Sequence, residues 1–205
     1  NACEMYGMKN KGAIAPSYVA DIVVADDLNL SSISQVYKNG KLVCENGTAL
    51  FECETVDNSK VTNTVHLPKI SADFFKTDVK DKFDAIELIP ESIITKKVTV
   101  SYSDSLSKVC VIERHHNLGT KGIGFVTNYG ITNGAIATSI GHDSHNVIVI
   151  GDNDSDMALA VNTLGTSGGI AVCSEGKVIA SMTLDIAGLM SVKSADEVTR
   201  EHDNL

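Results

Sequence analysis

The chain has 205 residues, 43% of them hydrophobic and 21% charged, with a formal charge of −9 at pH 7. That is the composition of one large globular domain or two small ones, and it excludes a disordered chain. The acidic balance repels a polyanion and no Lys/Arg run interleaves with aromatics, so nucleic acid is excluded as a partner, whereas a neutral small molecule is not.

Residues 1–8 read as the end of a helix, with Gly7 and Gly12 as stops, followed by a loop over Lys11–Pro16. Ala20–Ala25 is a β-branched run and reads as a strand. Asn39-Gly40 sits between apolar dipeptides, and both turn residues of such a hairpin need positive φ, so Val36–Val43 is expected to fold back on itself. Residues 54–66 turn polar and then extended, as a connector would. One short helix is expected around Ala72–Lys76, and strands at Ile93–Tyr102, Lys108–Glu113 and Gly134–Thr138. The unbroken apolar run Val147–Ile150 reads as a strand covered on both faces.

The clearest helix spans 154–164. Asn153 can cap it, with Asp156 three residues on at the positive end of the dipole. Met157, Ala160, Val161 and Leu164 form its apolar face. A hairpin follows, Ile170–Cys173 turning at Glu175-Gly176 into Lys177–Met182, and a last helix starts near Ser194. The chain reads as α+β, β-rich first and then mixed α/β.

Five cysteines, Cys3, Cys44, Cys53, Cys110 and Cys173, are scattered without a Cys-x-x-Cys pair, as expected of reduced thiols in a cytoplasmic protein. No stretch approaches the roughly 20 apolar residues of a membrane span, and no signal peptide is visible. The chain begins at Asn1 and ends at Leu205 within an expected helix, so it is expected to be a piece of a longer polypeptide.

Two polar clusters carry the chemistry. Gly141-His142-Asp143-Ser144-His145-Asn146 brings two imidazoles, a carboxylate, a hydroxyl and an amide to a strand entrance, more than an ordinary turn needs. On a helix the His142/His145 spacing would suit a metal pair, but Gly141 and the following β run favour a loop. Metal ligation, a rim that contacts substrate, and a local network capping turns all stand open. Glu113-Arg114-His115-His116 ends a strand and leads into Gly119, Gly122 and Gly124, where either a ligand-facing rim or a surface salt bridge with a flexible turn fits. Those glycines are in the wrong order for a dinucleotide fingerprint. Asp152, Asp154 and Asp156 match the start of a calcium loop, but Met157 and Thr163 stand where it needs Gly and Glu, so helix capping explains the run better. The zinc deaminase, His-Glu-x-x-His and Gly-x-Ser-x-Gly signatures are absent.

Asn1-Ala2-Cys3, Gly7, Lys11–Pro16 and Ala20–Val24 resemble the exit from an amidohydrolase-superfamily barrel, where the last barrel helix leads into a small β-sandwich. Ser17 stands where many members have Gly, a change confined to the turn. Val111–His115, Gly122–Val126, Gly134–Ala137, His142–Asn146, Asn153–Ala160 and Ala187–Met190 resemble, in order and spacing, the C-terminal domain of the prokaryotic-type adenine deaminases. The resemblance covers nearly the whole chain. It implies a barrel-helix end and β-sandwich segment over 1–57, and a truncated C-terminal α/β domain over 58–205.

It further implies a parent that hydrolyses adenine to hypoxanthine and ammonia, using two divalent metals, manganese or iron, in its barrel. There a metal-bound hydroxide attacks C6 and a carboxylate moves protons. The barrel ligands lie before residue 1, so no metal or cofactor is expected on these residues and the chain alone is expected to be inactive. Adenine is the implied substrate, and a homo-oligomer with no membrane or nucleic-acid partner is expected. His142, Asp143, His145, Asn146, Glu113, Arg114 and His115 are the candidate rim residues that orient or cover the purine. The alternatives are an accessory or oligomerisation module of another amidohydrolase acting on a cyclic amide or amine, and a free-standing ligand-binding domain.

Overall fold

The first Asn-Gly dipeptide turns the chain as its backbone preference dictates, with φ of 50° at Asn39 and 75° at Gly40. It joins two strands of a sheet in a computed structural model that describes residues 2–54, 56–78, 81–103 and 106–205. The chain divides into two units, residues 1–56 and 57–205. Asn1, expected in the first helix, and Thr55, expected in the connector, lie outside the described residues.

The first unit holds a short helix α1 (Ala2–Met5) and strands β1 (Ile22–Ala25), β2 (Ile33–Lys38), β3 (Lys41–Glu45) and β4 (Thr48–Ala49), paired antiparallel in chain order. Asp21 ties it together. Its carboxylate lies 2.7 Å from the ammonium of Lys11 and of Lys38, and it accepts the Asn39 amide at 2.9 Å. These contacts, Lys11 foremost, hold its carboxyl well below the usual range.

The second unit is an eight-stranded sheet. Its strands are β5 (Phe83–Leu88), β6 (Thr95–Val100), β7 (Ser107–Ile112), β8 (Lys121–Thr127), β9 (Gly134–Thr138), β10 (Val147–Gly151), β11 (Gly169–Ser174) and β12 (Lys177–Thr183), in the order β12-β11-β9-β10-β7-β8-β5-β6. Every pairing is antiparallel except β5 with β8, where Ile86 faces Val126. Helix α2 (Asp154–Thr163) and a 3₁₀ turn at Ala72–Phe75 cover one face. Met157, Ala160 and Val161 of α2 meet Cys110, Ala137 and Val149 of the sheet, all essentially without solvent exposure. Burial pushes the Cys110 thiol up to about 11, and all five cysteines are free thiols. The α+β class agrees with the sequence reading.

The acidic run caps and braces instead of gathering round an ion. Asn153 Oδ1 accepts the Asp156 amide at 2.8 Å, and Asp156 Oδ1 accepts the Gly176 amide at 2.8 Å, which fixes the β11–β12 turn. Asp154 pairs with Lys108, and Asp152 accepts the Gly134 amide at 2.9 Å. The last helix, α3 (Ala195–Asp203), opens on a complete capping box of Ser194 and Glu197.

Two expectations need correction. Gly122 and Gly124 lie inside strand β8, not in a loop, because pairing with Val111 and Val109 overrides their turn preference. Val65, in the expected connector, is fully buried, and its amide donates to the Thr166 carbonyl at 3.0 Å. In β10, Val147 and Val149 enter the core beneath α2 and Ile150, on the other face, is buried too, as expected of a strand covered on both faces, with Ile148 half-buried beside it. Among the described residues, no helix is long and apolar enough to cross a membrane.

Candidate functional site

Sheet register builds the site. Val147 of β10 faces Ile112 of β7, Thr138 of β9 faces both Ile148 and Ile170, and Gly169 of β11 faces Thr183 of β12. The loops after β7 (113–120), between β9 and β10 (139–146) and after β12 (184–190) therefore emerge at one end of the sheet. The two polar clusters, Glu113–His116 and Gly141–Asn146, become neighbours there.

Arg114 joins all three loops. It is 3% exposed; its Nε donates to the His145 carbonyl and its Nη2 donates to the Ala187 carbonyl at 2.9 Å. Among the described residues no carboxylate lies within ion-pair distance of it, and burial pulls its pKa below the ordinary value. A buried cation held only by carbonyl dipoles is costly, by several kcal/mol on general grounds, so the fold commits to keeping it there. His115 Nε2 lies 3.0 Å from the Ser144 carbonyl. A carbonyl only accepts, so this contact requires the proton on Nε2.

Glu113 organises its own loop. Its carboxylate accepts the amides of His115, His116 and Leu118 at 2.5, 2.8 and 3.1 Å. Those bonds, the Leu118 amide first, hold its pKa at about 2. Of the candidates, Glu113, Arg114 and His115 thus form the scaffold of the site.

The 139–146 loop presents the remainder. Gly141 is required: a Cβ there would sit 2.5 Å from the Asn146 carbonyl, while the Gly141 carbonyl accepts the His145 amide at 2.5 Å. His142 and Asp143 point into solvent at 85% and 88% side-chain exposure, with Nδ1 and Oδ1 2.5 Å apart. His145 sits at φ 52°, and the His142 and His145 rings meet edge to face at 6.3 Å, in a turn and not on a helix. His145 Nδ1 and Asn146 Oδ1 are buried with no hydrogen-bond partner among the described residues. Unpaired buried polar atoms are expensive and uncommon, so a loop that carries two is poised to meet further polar groups.

Sequence reasoning missed the supports beneath these loops. Ser139, fully buried, donates to the Gly188 carbonyl at 2.5 Å and accepts the Gly169 amide at 2.7 Å. Gly188, at φ 69°, leaves room for the guanidinium, since a Cβ there would lie 2.7 Å from Arg114 Nη1. Gly188 had a sequence signal, the small pair Ala187-Gly188, but backbone carbonyl acceptors have none. Among the described residues, no group of three His, Cys, Asp or Glu side chains could hold a metal ion.

Residues 87–205 match the family described as the adenine deaminase C-terminal domain. The chain is 42% identical over 212 aligned positions to an adenine deaminase of Clostridium acetobutylicum, covering 97% of this chain and 37% of the relative. It is 39% identical over 218 positions to adenine deaminase 2 of Carboxydothermus hydrogenoformans, covering 100% and 38%. It is 37% identical over 211 positions to an adenine deaminase of Nitratidesulfovibrio vulgaris, covering 97% and 37%. The chain thus spans well under half the length of these relatives, and their names favour an adenine deaminase over the other amidohydrolases weighed above. With the family match extending over more than half of its residues, the chain belongs to the adenine deaminase family, as its C-terminal part.

Proposed function

We propose that the parent protein hydrolyses adenine: water replaces the 6-amino group, giving hypoxanthine and ammonia, in a cytoplasmic step of adenine catabolism. The divalent metal that the resemblance implies, manganese or iron, is assigned to polypeptide outside these residues. The first unit is read as the end of the barrel helix and part of its β-sandwich, the second unit as the accessory domain beyond it, and the parent as a homo-oligomer. Within the second unit, the 139–146 loop is the rim that orients or covers the purine, and Arg114 is the strut that holds it in place.

The observation that carries this reading is the buried Arg114, spent on loop carbonyls of a segment that displays His142 and Asp143 to solvent and leaves His145 Nδ1 and Asn146 Oδ1 unpaired. A purine offers N–H groups that Asp143 and Asn146 Oδ1 can accept, and ring nitrogens to which a His142 N–H can donate. Five free thiols support a reducing compartment.

Ammonia release by the full-length parent tests the reaction. Adenine is expected to be turned over and hydantoins are not. The 205-residue chain, given manganese and adenine, is expected to release no ammonia at enzymatic rates. A parent that prefers hydantoins, or a chain that deaminates adenine by itself, would overturn the reading.

A further inference from the structure

The connection over 139–146 is tied down at both ends, and both ties lead to neighbouring peptide groups of one turn. At its root, the fully buried Ser139 Oγ donates to the Gly188 carbonyl at 2.5 Å and accepts the Gly169 amide at 2.7 Å. At its far end, Arg114 Nε holds the His145 carbonyl, while Arg114 Nη2 donates to the Ala187 carbonyl at 2.9 Å. The turn that receives both ties is fixed in its own right. Its Ile186 amide donates to the Met190 carbonyl at 2.8 Å, and its Ala187 amide donates to the Val61 carbonyl at 2.6 Å. Ala187 sits at φ 55°, a left-handed conformation that a residue with a Cβ keeps only where its surroundings impose it.

We propose that Ser139 is a positioning residue for the hydrolysis of adenine: its hydroxyl and Arg114 clamp the two ends of the rim loop onto the 186–190 turn and so set where His142–Asn146 meet the purine. The inference rests on the rim reading above and adds to it a residue that touches no substrate. Three features favour positioning over packing alone. Neighbouring antiparallel strands need only about two to five residues to connect, and 139–146 is longer, so the strands do not by themselves define the path of the loop. The clamp is polar at a fully buried point, where an apolar group would fill the space without desolvating a hydroxyl, whereas a satisfied buried network fixes one geometry. The space around the hydroxyl is also cleared of side chains: a Cβ on Gly168 would lie 2.6 Å from Ser139 Oγ and 2.9 Å from the Gly188 Cα.

Steady-state kinetics of the full-length parent test the proposal through a double-mutant cycle of Ser139→Ala and Asp143→Asn, with melting temperatures measured beside it. Each single variant is expected to lower kcat/KM for adenine at least about tenfold. Ser139→Ala is expected to do so with a raised KM, because a fraction of unfolded enzyme lowers apparent kcat alone. Acting through one loop, the two changes together should lose less than about threefold beyond the worse single, where independent effects would multiply to at least about a hundredfold. If Ser139→Ala does not fold, Ser139→Cys takes its place, since it keeps the shape of the side chain and weakens both hydrogen bonds. Full activity at position 139, an unchanged KM, or losses that multiply would overturn the positioning role and leave the rim reading standing. An Asp143→Asn parent with unchanged kcat/KM would overturn the rim reading and this inference with it.

Discussion

Residues 1–56 and residues 57–205 both fold as sheets of Val- and Ile-bearing strands, yet none of the described side chains of the first unit is buried, whereas Phe75, Ile112, Val147, Val149 and Met157 of the second have no measurable exposure. In β1, Val23 and Val24 remain 53% and 40% exposed. Strand-forming residues therefore supply a sheet but not an interior. The interior comes from a second layer, and α2 with the 3₁₀ turn provides one only in residues 57–205. The same lesson applies within the second unit, where the face beneath α2 closes over Cys110, Ala137 and Val149 completely while the opposite face, though it buries Val126 and Ile150, leaves Ile86 and Val111 part-exposed.

Truncation of a core side chain should separate the two units most sharply. Met157→Ala removes the centre of the α2 contact and is expected to cost about 2–5 kcal/mol, against less than about 0.5 kcal/mol for Val24→Ala in the first sheet. Urea denaturation midpoints measure both, and equal losses would break the comparison. Two glycines of positive φ sharpen it next. Gly47→Ala meets nothing within 4 Å and should cost only the left-handed strain, about 1 kcal/mol, whereas Gly188→Ala also drives a methyl group into Arg114 and should cost about 3 kcal/mol by thermal melting.

The smallest effect is a pH dependence. The folded pKa of Glu113, about 2, lies below the ordinary glutamate value of about 4.3, so folding favours the ionised form. Its contribution is complete above that ordinary value and is lost as pH falls toward about 2. The stability difference between wild type and Glu113→Gln should therefore be constant near neutrality and shrink in acid. A difference that grows in acid would contradict the sign.

Legibility in the sequence followed locality. Asn39-Gly40, Glu175-Gly176, the Asn153 cap and the Met157–Leu164 face are short-range signals, and all four took the expected form. Asn46-Gly47 carries the same hairpin signal between β3 and β4 and went unread. Strands β5 and β8 were missed for a physical reason. Gly122 and Gly124 look like breakers, and pairing with β7 is what makes a strand of that segment, while β5 is held by antiparallel pairing with β6 over Phe83–Leu88 and by its parallel contact with β8. At the site, both polar clusters were visible as clusters. That Arg114 would turn inward and grip the His145 and Ala187 carbonyls was not, because backbone acceptors leave no mark on a sequence and the meeting depends on register across β7, β10 and β9.

The most direct test of the rim reading is the turnover of the full-length parent carrying Asp143→Asn, measured beside its melting temperature. Asp143 is 88% exposed and, among the described residues, its carboxylate pairs only with its neighbour His142, so the substitution should leave the melting temperature within about 2 °C. If the loop meets the purine, kcat/KM for adenine should fall at least about tenfold, or about 1.4 kcal/mol of transition-state stabilisation. Unchanged turnover, or a loss matched by an equivalent loss of stability, would contradict the account.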